Sequence, residues 1–169
     1  MITPQTINHR LENKEVDLII GIDSSQKLPS YLIVQHWLTQ PFSCLVAQNR
    51  TAKAFNLRQY CASKHVIFLD AMENSSSIID NWLAAQDLQR QHIARAVNYM
   101  AAARVVAKTS AIMTLPLDMA KLFSEMLPVM LVEPPQGLPN IEMNLVHHPL
   151  YNNDKSLMWL IEQIRQLAA

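Results

Sequence analysis

The hydrophobic and polar positions along the chain predict alternating strands and helices, most clearly between Gln91 and Pro116. Residues 92–97 alternate loosely between apolar and polar, which is typical of a strand. Residues 100–106 are rich in alanine and apolar on every side, which predicts a helix buried between layers. Residues 111–115 form a short apolar run before Pro116, a good first residue for the next helix. This order predicts a βαβ unit within a parallel sheet.

The rest of the chain continues the alternation, so the predicted fold class is α/β. Residues 16–22 form an almost unbroken branched apolar run, which predicts a strand covered on both faces. Asn56 followed by Gln59 predicts a capping box at a short helix. Trp159 is interpreted as a core residue of the last helix. The other predicted strands span 31–37, 42–47, 65–69, 129–132 and 141–147, and the other helices begin near Pro4, Ile78, Pro116 and Asp154.

The composition is globular and the charge is balanced. Half of the 169 residues are apolar, 17% are charged, and 14 basic residues balance 14 acidic ones. A neutral chain lacks the electrostatic footprint of a domain that grips nucleic acid phosphates, and it lacks the basic stripe of a membrane-surface helix. No apolar run approaches the roughly 20 residues that span a bilayer, and no secretory signal is visible.

Cysteine and glycine usage narrows the chemistry. Cys44 and Cys61 show no metal-type spacing, so we interpret them as free thiols in a reducing compartment. The only glycines are Gly21 and Gly137, which excludes the glycine-rich phosphate loops of the common nucleotide-binding proteins.

Five stretches of the chain occur in an order that resembles a known family. They are VDLIIG at 16–21, FSCLVA at 42–47, YCASKHVIFL at 60–69, the run from Ile78 to Pro116, and DKSLMWL at 154–160. Together they resemble the effector-binding domain of LysR-type transcriptional regulators over nearly the whole chain. Within that family the chain resembles the NodD-like and NahR-like branch most. The positions that carry this resemblance are Asp80, Leu83-Ala84, Arg90, Tyr99 and Leu115-Pro116.

The resemblance implies two α/β lobes, a Rossmann-like sandwich of the type 2 periplasmic-binding-protein design. Lobe I would comprise residues 1–40 and 148–169, and lobe II residues 41–147. The family domain opens with a strand, a helix and a second strand that have no counterpart here. We therefore expect an incomplete first lobe with an unpaired sheet edge, and such edges tend to find another chain. The DNA-binding helix-turn-helix of the family also has no counterpart in these residues.

Ligands of such sheets lie at the carboxyl ends of strands, beside helix N-termini. Amides and hydroxyls there can bind a carboxylate with help from the helix dipole. Structural alternatives stay open, because Ser76 or Ser77 can be a simple N-cap, and Asn98 can cap a helix while Tyr99 packs. Thr3 is added because its position matches an effector-contacting threonine in the family. The predicted ligand-binding residues of the interlobe cleft are Thr3, Gly21, Ile22, Asn74, Ser75, Ser76, Asn98 and Tyr99.

Other reactive side chains are interpreted as structural. His147 and His148 are adjacent in a strand and would point to opposite faces, so surface or hinge positions are favoured over a metal site. Cys61 and His65 suggest a Cys–His pair, but no third group is in place to orient it. We therefore predict no catalytic residue, no metal and no cofactor.

Our leading hypothesis is the ligand-sensing and oligomerisation domain of a cytoplasmic LysR-type regulator, without enzymatic activity. It would bind a small organic effector, form a homodimer or tetramer, contact DNA only through a separate N-terminal domain, and not contact a membrane. That the effector is an anionic or aromatic acid follows from the family alone. The alternative is a free-standing solute-binding protein of the periplasmic type, and an enzyme is a third hypothesis.

Overall fold

The computed structural model describes residues 4–24, 28–51, 53–68 and 77–167. Strands and helices alternate, so the predicted α/β class is confirmed. In chain order the elements are α1 (Pro4–Glu12), β1 (Ile19–Asp23), β2 (Ile33–Gln40), β3 (Phe42–Ala47), α2 (Leu57–Ala62), β4 (Lys64–Phe68), α3 (Ile78–Ala84), β5 (Gln91–Ala96), α4 (Tyr99–Ala107), β6 (Met113–Pro116), α5 (Leu117–Met126), β7 (Val129–Val132), β8 (Ile141–His147), a 3-10 helix (Pro149–Tyr151) and α6 (Lys155–Gln166).

These residues divide into two compact units. Unit 1 contains the described residues of 4–39 together with 141–167, and unit 2 contains those of 40–68 together with 77–140. No helix in the described ranges combines the length and the apolar character needed to cross a membrane.

Unit 1 is built on a three-stranded sheet in the order β1-β8-β2. Successive strand residues point to opposite faces, and in β8 Val146 packs with α1 whereas Leu145 packs with α6. The indole nitrogen of Trp37 in β2 donates to the carbonyl of Ile164 at 3.2 Å, which ties α6 to the sheet. One helix therefore covers each face of this sheet.

Unit 2 combines an antiparallel sheet, β6-β3-β7, with a parallel pair, β4-β5. A parallel bridge between His65 and Ile112, just before β6, joins the two. β5 and β6 are therefore parallel, as the predicted crossover through α4 requires. However, β4 lies between these two strands, and the combined sheet also contains antiparallel strands. Leu45 of β3 packs with α4 and α5, whereas Val46 packs with α2 and α3, so helices cover both faces.

Helix α4 is buried on one side only, so the prediction that it lies between layers is wrong. Ala102, Ala103 and Val106 have no exposed surface, whereas Val105 is 41% exposed. A helix made of small apolar residues has no polar stripe to mark its solvent side. Only the packing against the sheet decides which side is covered.

Two further predictions of burial are wrong. β1 is an edge strand of its sheet within the described chain, and Ile20 is 49% exposed. Trp159 is 64% exposed, because it lies about 200° around α6 from the buried Leu157. An apolar side chain alone does not reveal which side of an element faces the core.

The surface alternative for the two histidines is also wrong, since His147 is fully buried and His148 is nearly so, whereas the hinge alternative stays a prediction. Pro116 is the last residue of β6 and the N-cap of α5, one position earlier in the helix than predicted.

The local capping predictions are confirmed. Asn56 and Gln59 form a reciprocal box, in which each side chain accepts from the other's backbone amide, at 2.8 Å and 3.1 Å. The carboxylate of Asp154 accepts from the amides of Ser156 and Leu157 at the start of α6.

Candidate functional site

The predicted ligand stretch Gly21-Ile22 lies in a β-bulge of β1. The pairing of β1 with β8 shifts register between Ile20 and Ile22, and Gly21 adopts a φ of +82°, which favours glycine. Apart from its chain neighbours, no heavy atom of the described residues lies within 4 Å of the position that a Cβ would take at Gly21. The positive φ of the bulge therefore accounts for a glycine at this position, and ligand binding by Gly21 and Ile22 stays a prediction.

A cavity of about 320 Å³ opens in unit 1 directly after this bulge. The mixture of polar and apolar groups suits a small molecule that has both kinds of surface. The polar lining residues are Asp23, Ser24, Ser30 and Asn144, and the apolar ones are Leu28, Pro29, Leu32 and Val34.

Asn144 holds the polar wall of this cavity in place. Its Nδ2 donates to the carbonyl oxygen of Ile22 at 3.2 Å and to the hydroxyl of Ser24 at 3.0 Å. The Ser24 hydroxyl in turn donates to a carboxylate oxygen of Glu142 at 3.2 Å. The bulge, the cavity and β8 are thus linked by one amide side chain that is nearly buried.

In unit 2, Asn98 and Tyr99 both have structural partners. The side-chain oxygen of Asn98 accepts from the amide of Ala101 at 3.1 Å, so Asn98 is the N-cap of α4. The Tyr99 ring stacks on Phe68 with a centroid separation of 3.8 Å and an interplanar angle of 12°. These are the alternatives that the sequence left open, and ligand binding by this pair stays a prediction.

The remaining predicted residues, Thr3, Asn74, Ser75 and Ser76, lie outside the described residues. Ser77, which follows them, is the N-cap of α3 and accepts from the amide of Ile79 at 3.3 Å. Of the predicted ligand-binding residues that the structure describes, Gly21 and Ile22 therefore lie in unit 1, and Asn98 and Tyr99 lie in unit 2.

A polar network centred on Arg90 runs through the core of unit 2. The Arg90 side chain is 3% exposed and makes a two-pronged ion pair with Asp80, at 2.7 Å and 3.1 Å. It also donates to the Tyr60 hydroxyl at 3.2 Å and to the Ser77 hydroxyl at 3.4 Å. Tyr60 continues to Thr114 at 2.8 Å. The network therefore connects the N-cap of α3 to the strands beneath it.

Burial sets the protonation states around this network. It raises the pKa of Cys44 to about 12 and also raises that of Tyr60, so both groups are protonated and neutral at pH 7. Burial also lowers the pKa of His65 to about 4, which leaves this imidazole neutral. Burial alone would raise the pKa of Asp80, but the hydrogen bonds and the positive charge of Arg90 outweigh burial and hold this pKa below its usual value. Arg90 and Asp80 thus form an ion pair among groups that stay neutral.

These states disfavour nucleophilic chemistry at the cysteines. A thiol attacks as its thiolate, and burial raises the pKa of both Cys44 and Cys61. The Nε2 of His65 donates to the carbonyl of Tyr60 at 2.8 Å, so it is held by the backbone. No group of three or more His, Cys, Asp or Glu side chains among the described residues could hold a metal.

Sequence reasoning missed the cavity residues Asp23, Ser24, Ser30 and Asn144. Asn144 carried a usable signal, because it is a polar residue directly before the apolar Leu145 and Val146 of β8. The serines carried none, since a polar loop is the ordinary composition of a strand connection.

The comparisons with known proteins agree with one another. The family model described as the LysR substrate binding domain matches residues 2–169. The transcriptional regulator SyrM 1 of Sinorhizobium fredii is 24% identical over 161 residues, which cover 94% of this chain and 47% of that protein. The transcriptional activator NahR of Pseudomonas putida is 22% identical over 152 residues, 89% of this chain and 50% of that protein. The chain thus spans about half the length of the curated relatives it matches.

Solved structures show the same fold. The regulatory domain of MexT, a transcriptional activator in Pseudomonas aeruginosa, aligns with a TM-score of 0.80 at 17% identity, over 99% of this chain and 82% of that one. A probable transcriptional regulator of Pseudomonas aeruginosa aligns with a TM-score of 0.81 at 22% identity, over 94% of this chain and 52% of that one. LysR regulatory domains have the type 2 periplasmic-binding-protein-like fold, so the predicted fold class is confirmed.

Proposed function

Since this chain belongs to the family of LysR substrate-binding domains, we propose that it is the ligand-sensing and oligomerisation domain of a LysR-type transcriptional regulator in the cytoplasm. The family match across residues 2–169 carries this proposal. The relatives are transcriptional regulators and not enzymes, and they do not favour a free-standing solute-binding protein. DNA would be contacted by a helix-turn-helix domain outside these residues.

The proposed effector is a small organic molecule that contacts the predicted residues Thr3, Gly21, Ile22, Asn74, Ser75, Ser76, Asn98 and Tyr99. Helix α4 starts at Asn98-Tyr99, and the amides of a helix N-terminus favour a carboxylate. The stacked rings of Tyr99 and Phe68 offer a flat apolar surface to an aromatic ring. Both features support an aromatic or anionic acid as the effector class.

The polar wall in unit 1 supports a second requirement on the effector. Asp23 lines the cavity beside the hydroxyls of Ser24 and Ser30, and each hydroxyl can donate and accept a hydrogen bond. A ligand group in this cavity would therefore combine hydrogen-bonding atoms with an apolar part that contacts the apolar lining residues. In the proposed mechanism the effector binds one conformational state of the regulator better than another, which shifts the population and the spacing of the attached DNA-binding domains.

We further propose that unit 1 corresponds to the partial first lobe and unit 2 to the second lobe of the family domain. The first boundary then stays near residue 40, whereas the second moves from the expected residue 147 to 140–141, so that β8 belongs to the first lobe. The boundaries between the two units, as defined by their internal packing, lie at residues 39–40 and 140–141. Limited proteolysis of the purified chain tests these boundaries, and cleavage confined to the interior of either unit would contradict them.

A thermal-shift screen on the regulator tests ligand binding. Aromatic and aliphatic carboxylic acids are compared with their own amides, which keep the shape and remove the charge. We expect at least one acid to raise the melting temperature, since a ligand at 100 times its dissociation constant stabilises by about 2.7 kcal/mol. Its amide should shift the melting temperature less. Stabilisation by amides alone would contradict the anionic assignment, and no shift with any small molecule would contradict the sensing role.

A further inference from the structure

The side chain of Asn144 determines which kind of hydrogen bond the unit 1 cavity offers. Asn144 lines the cavity and is only 7% exposed. Its Nδ2 donates to the carbonyl oxygen of Ile22 and to the hydroxyl of Ser24. A carbonyl oxygen can only accept, so this contact fixes which end of the amide is the nitrogen. Both hydrogens of Nδ2 are therefore engaged within the protein.

The other end of the same amide, Oδ1, has no donor among the described residues. The hydrogen bonds of the Asn144 side chain are the two that Nδ2 makes. An amide oxygen in a nearly buried side chain normally has a hydrogen-bond partner. At this position the partner has to be water or a ligand that enters the cavity, and in either case it has to be a donor.

The neighbouring polar groups of the cavity are acceptors as well. The Ser24 hydroxyl donates to a carboxylate oxygen of Glu142 at 3.2 Å and accepts from Asn144, so it keeps a lone pair but no hydrogen. The carboxylate of Asp23 can only accept, whatever its other contacts. Of the described polar lining residues, only Ser30 has a hydrogen to present. The wall therefore favours a ligand group that donates hydrogen bonds.

We propose that this cavity binds the protonated amino group of a small primary amine that has an apolar body. An ammonium group carries three N–H donors and a positive charge, and both match a wall of acceptors that includes the carboxylate of Asp23. The carboxylate of Glu142 lies one hydrogen bond behind Ser24. The apolar body contacts the side chains of Leu28 and Leu32. A volume of about 320 Å³ is at the lower end for ligand sites, so the ligand is compact.

This inference rests on the proposed ligand-sensing function and names one ligand group for the unit 1 cavity. All of the lining residues belong to unit 1. The thermal-shift screen with carboxylic acids and their amides tests whether the regulator senses a small molecule at all, whereas a primary amine tests this cavity. Either proposal can therefore fail without the other.

An NMR titration of the full chain at pH 7 with three ligands of similar shape tests the requirement for donors. Benzylamine, benzyl alcohol and benzoate share a phenyl ring and differ in the polar group, which carries three donors, one donor and none. We expect benzylamine to bind at least about tenfold more tightly than benzyl alcohol, because charge-assisted hydrogen bonds are the stronger ones.

The side-chain NH2 signal of Asn144 reports where the ligands bind, and its absence from the spectrum of Asn144→Ala assigns it. Benzylamine should shift this signal, whereas benzoate should leave it in place. Benzylamine that binds no more tightly than benzoate would overturn the proposal, as would an Asn144 signal that benzylamine does not move.

Two variants test whether the amine occupies the cavity. Asn144→Ala removes the Oδ1 acceptor and should weaken benzylamine binding about tenfold. Ser30→Phe places a ring over the cavity from an exposed position and should abolish binding. Ser110→Phe is its control, because Ser110 is an exposed loop residue of unit 2 and should keep the wild-type affinity. Wild-type affinity in Ser30→Phe would overturn the proposal, even if Asn144→Ala does not fold.

Discussion

The two units handle their polar groups in opposite ways. In unit 2, the guanidinium of Arg90 is 3% exposed and shared among Asp80, Tyr60 and Ser77. In unit 1, Asp23 and Ser24 face an open cavity of about 320 Å³. A buried charge is stable only when it is paired and hydrogen-bonded, whereas groups at a cavity wall can exchange water for a ligand. The comparison suggests that the unit 2 network stabilises the fold and that the unit 1 wall is available for recognition.

The comparison is tested most strongly by removing the charge at the centre of the unit 2 network. Arg90→Met keeps the length of the side chain but leaves Asp80 and Tyr60 without their shared donor. Breaking a buried ion pair typically costs 3–5 kcal/mol, and the partial exposure of Asp80 places the expected loss at about 3 kcal/mol.

Urea unfolding measures this loss, and Arg95→Met is its control, since Arg95 is exposed and lies on β5, the strand that begins directly after Arg90. The control should change stability by less than about 0.5 kcal/mol. Similar losses for the two variants would show that the network does not stabilise unit 2.

His65 predicts how stability depends on pH. Its pKa is lowered by burial to about 4 in the folded chain, from an ordinary value of 6.5. Between these values the unfolded chain binds the extra proton, so stability falls as pH drops from about 6.5 towards 4. The change in the pKa of His65 from 6.5 to about 4 limits this loss to at most about 3.4 kcal/mol.

The pH effect is measured by urea unfolding at pH 7 and at pH 5. His65→Gln should flatten the slope between these values, whereas His36→Gln, at an exposed position of β2, should leave it unchanged. The loss from Asp80 belongs to a lower window, because its pKa is held below its usual value of 3.8. A wild-type slope that persists in His65→Gln would assign the proton uptake to another group.

Of the three side chains tested, Arg90, His65 and Asn144, we expect Asn144 to contribute least to stability. Its substitution should instead affect ligand binding at the cavity. Asn144→Ala removes the donor to the Ile22 carbonyl and the Ser24 hydroxyl, and a hydrogen-bonded group of this kind is worth about 1 kcal/mol. If the unit 1 wall recognises ligand, the variant should also lose the thermal shift produced by an effector found in the screen.

Ser124→Ala is the control for Asn144, since its hydroxyl donates to a backbone carbonyl on the exposed side of α5. It should keep the full ligand-induced shift. An Asn144→Ala protein that responds to effector like the wild type would remove the cavity from the recognition surface.

Predictions from sequence succeeded where the determining contacts are local. The capping box of Asn56 and Gln59 and the N-caps at Ser77, Asn98 and Asp154 join residues two or three positions apart, so their residue types are enough to predict them. The boundaries of β3 followed equally well from the apolar run FSCLVA after Pro41. Within the candidate site, the sequence predicted only the features that such local contacts determine, namely the helix N-caps.

Burial and the cavity depend on contacts between distant parts of the chain. Trp159, Ile20 and Val105 are apolar yet exposed, and His65 and His147 are polar yet buried. The cavity joins Ser24 to Asn144 across β1 and β8, 120 positions apart. A register shift at Gly21 changes which residues meet there, and no local pattern specifies it.

The sequence by itself determined the alternation of strands and helices, the caps, and the family, because these depend on residue order over short spans. The tertiary structure alone decided that β4 lies between β5 and β6, that Arg90 is enclosed by Asp80 and Tyr60, and that Trp159 faces solvent. The physical reason is that apolar periodicity selects the type of an element, whereas which side of it is buried depends on the partner that packs there.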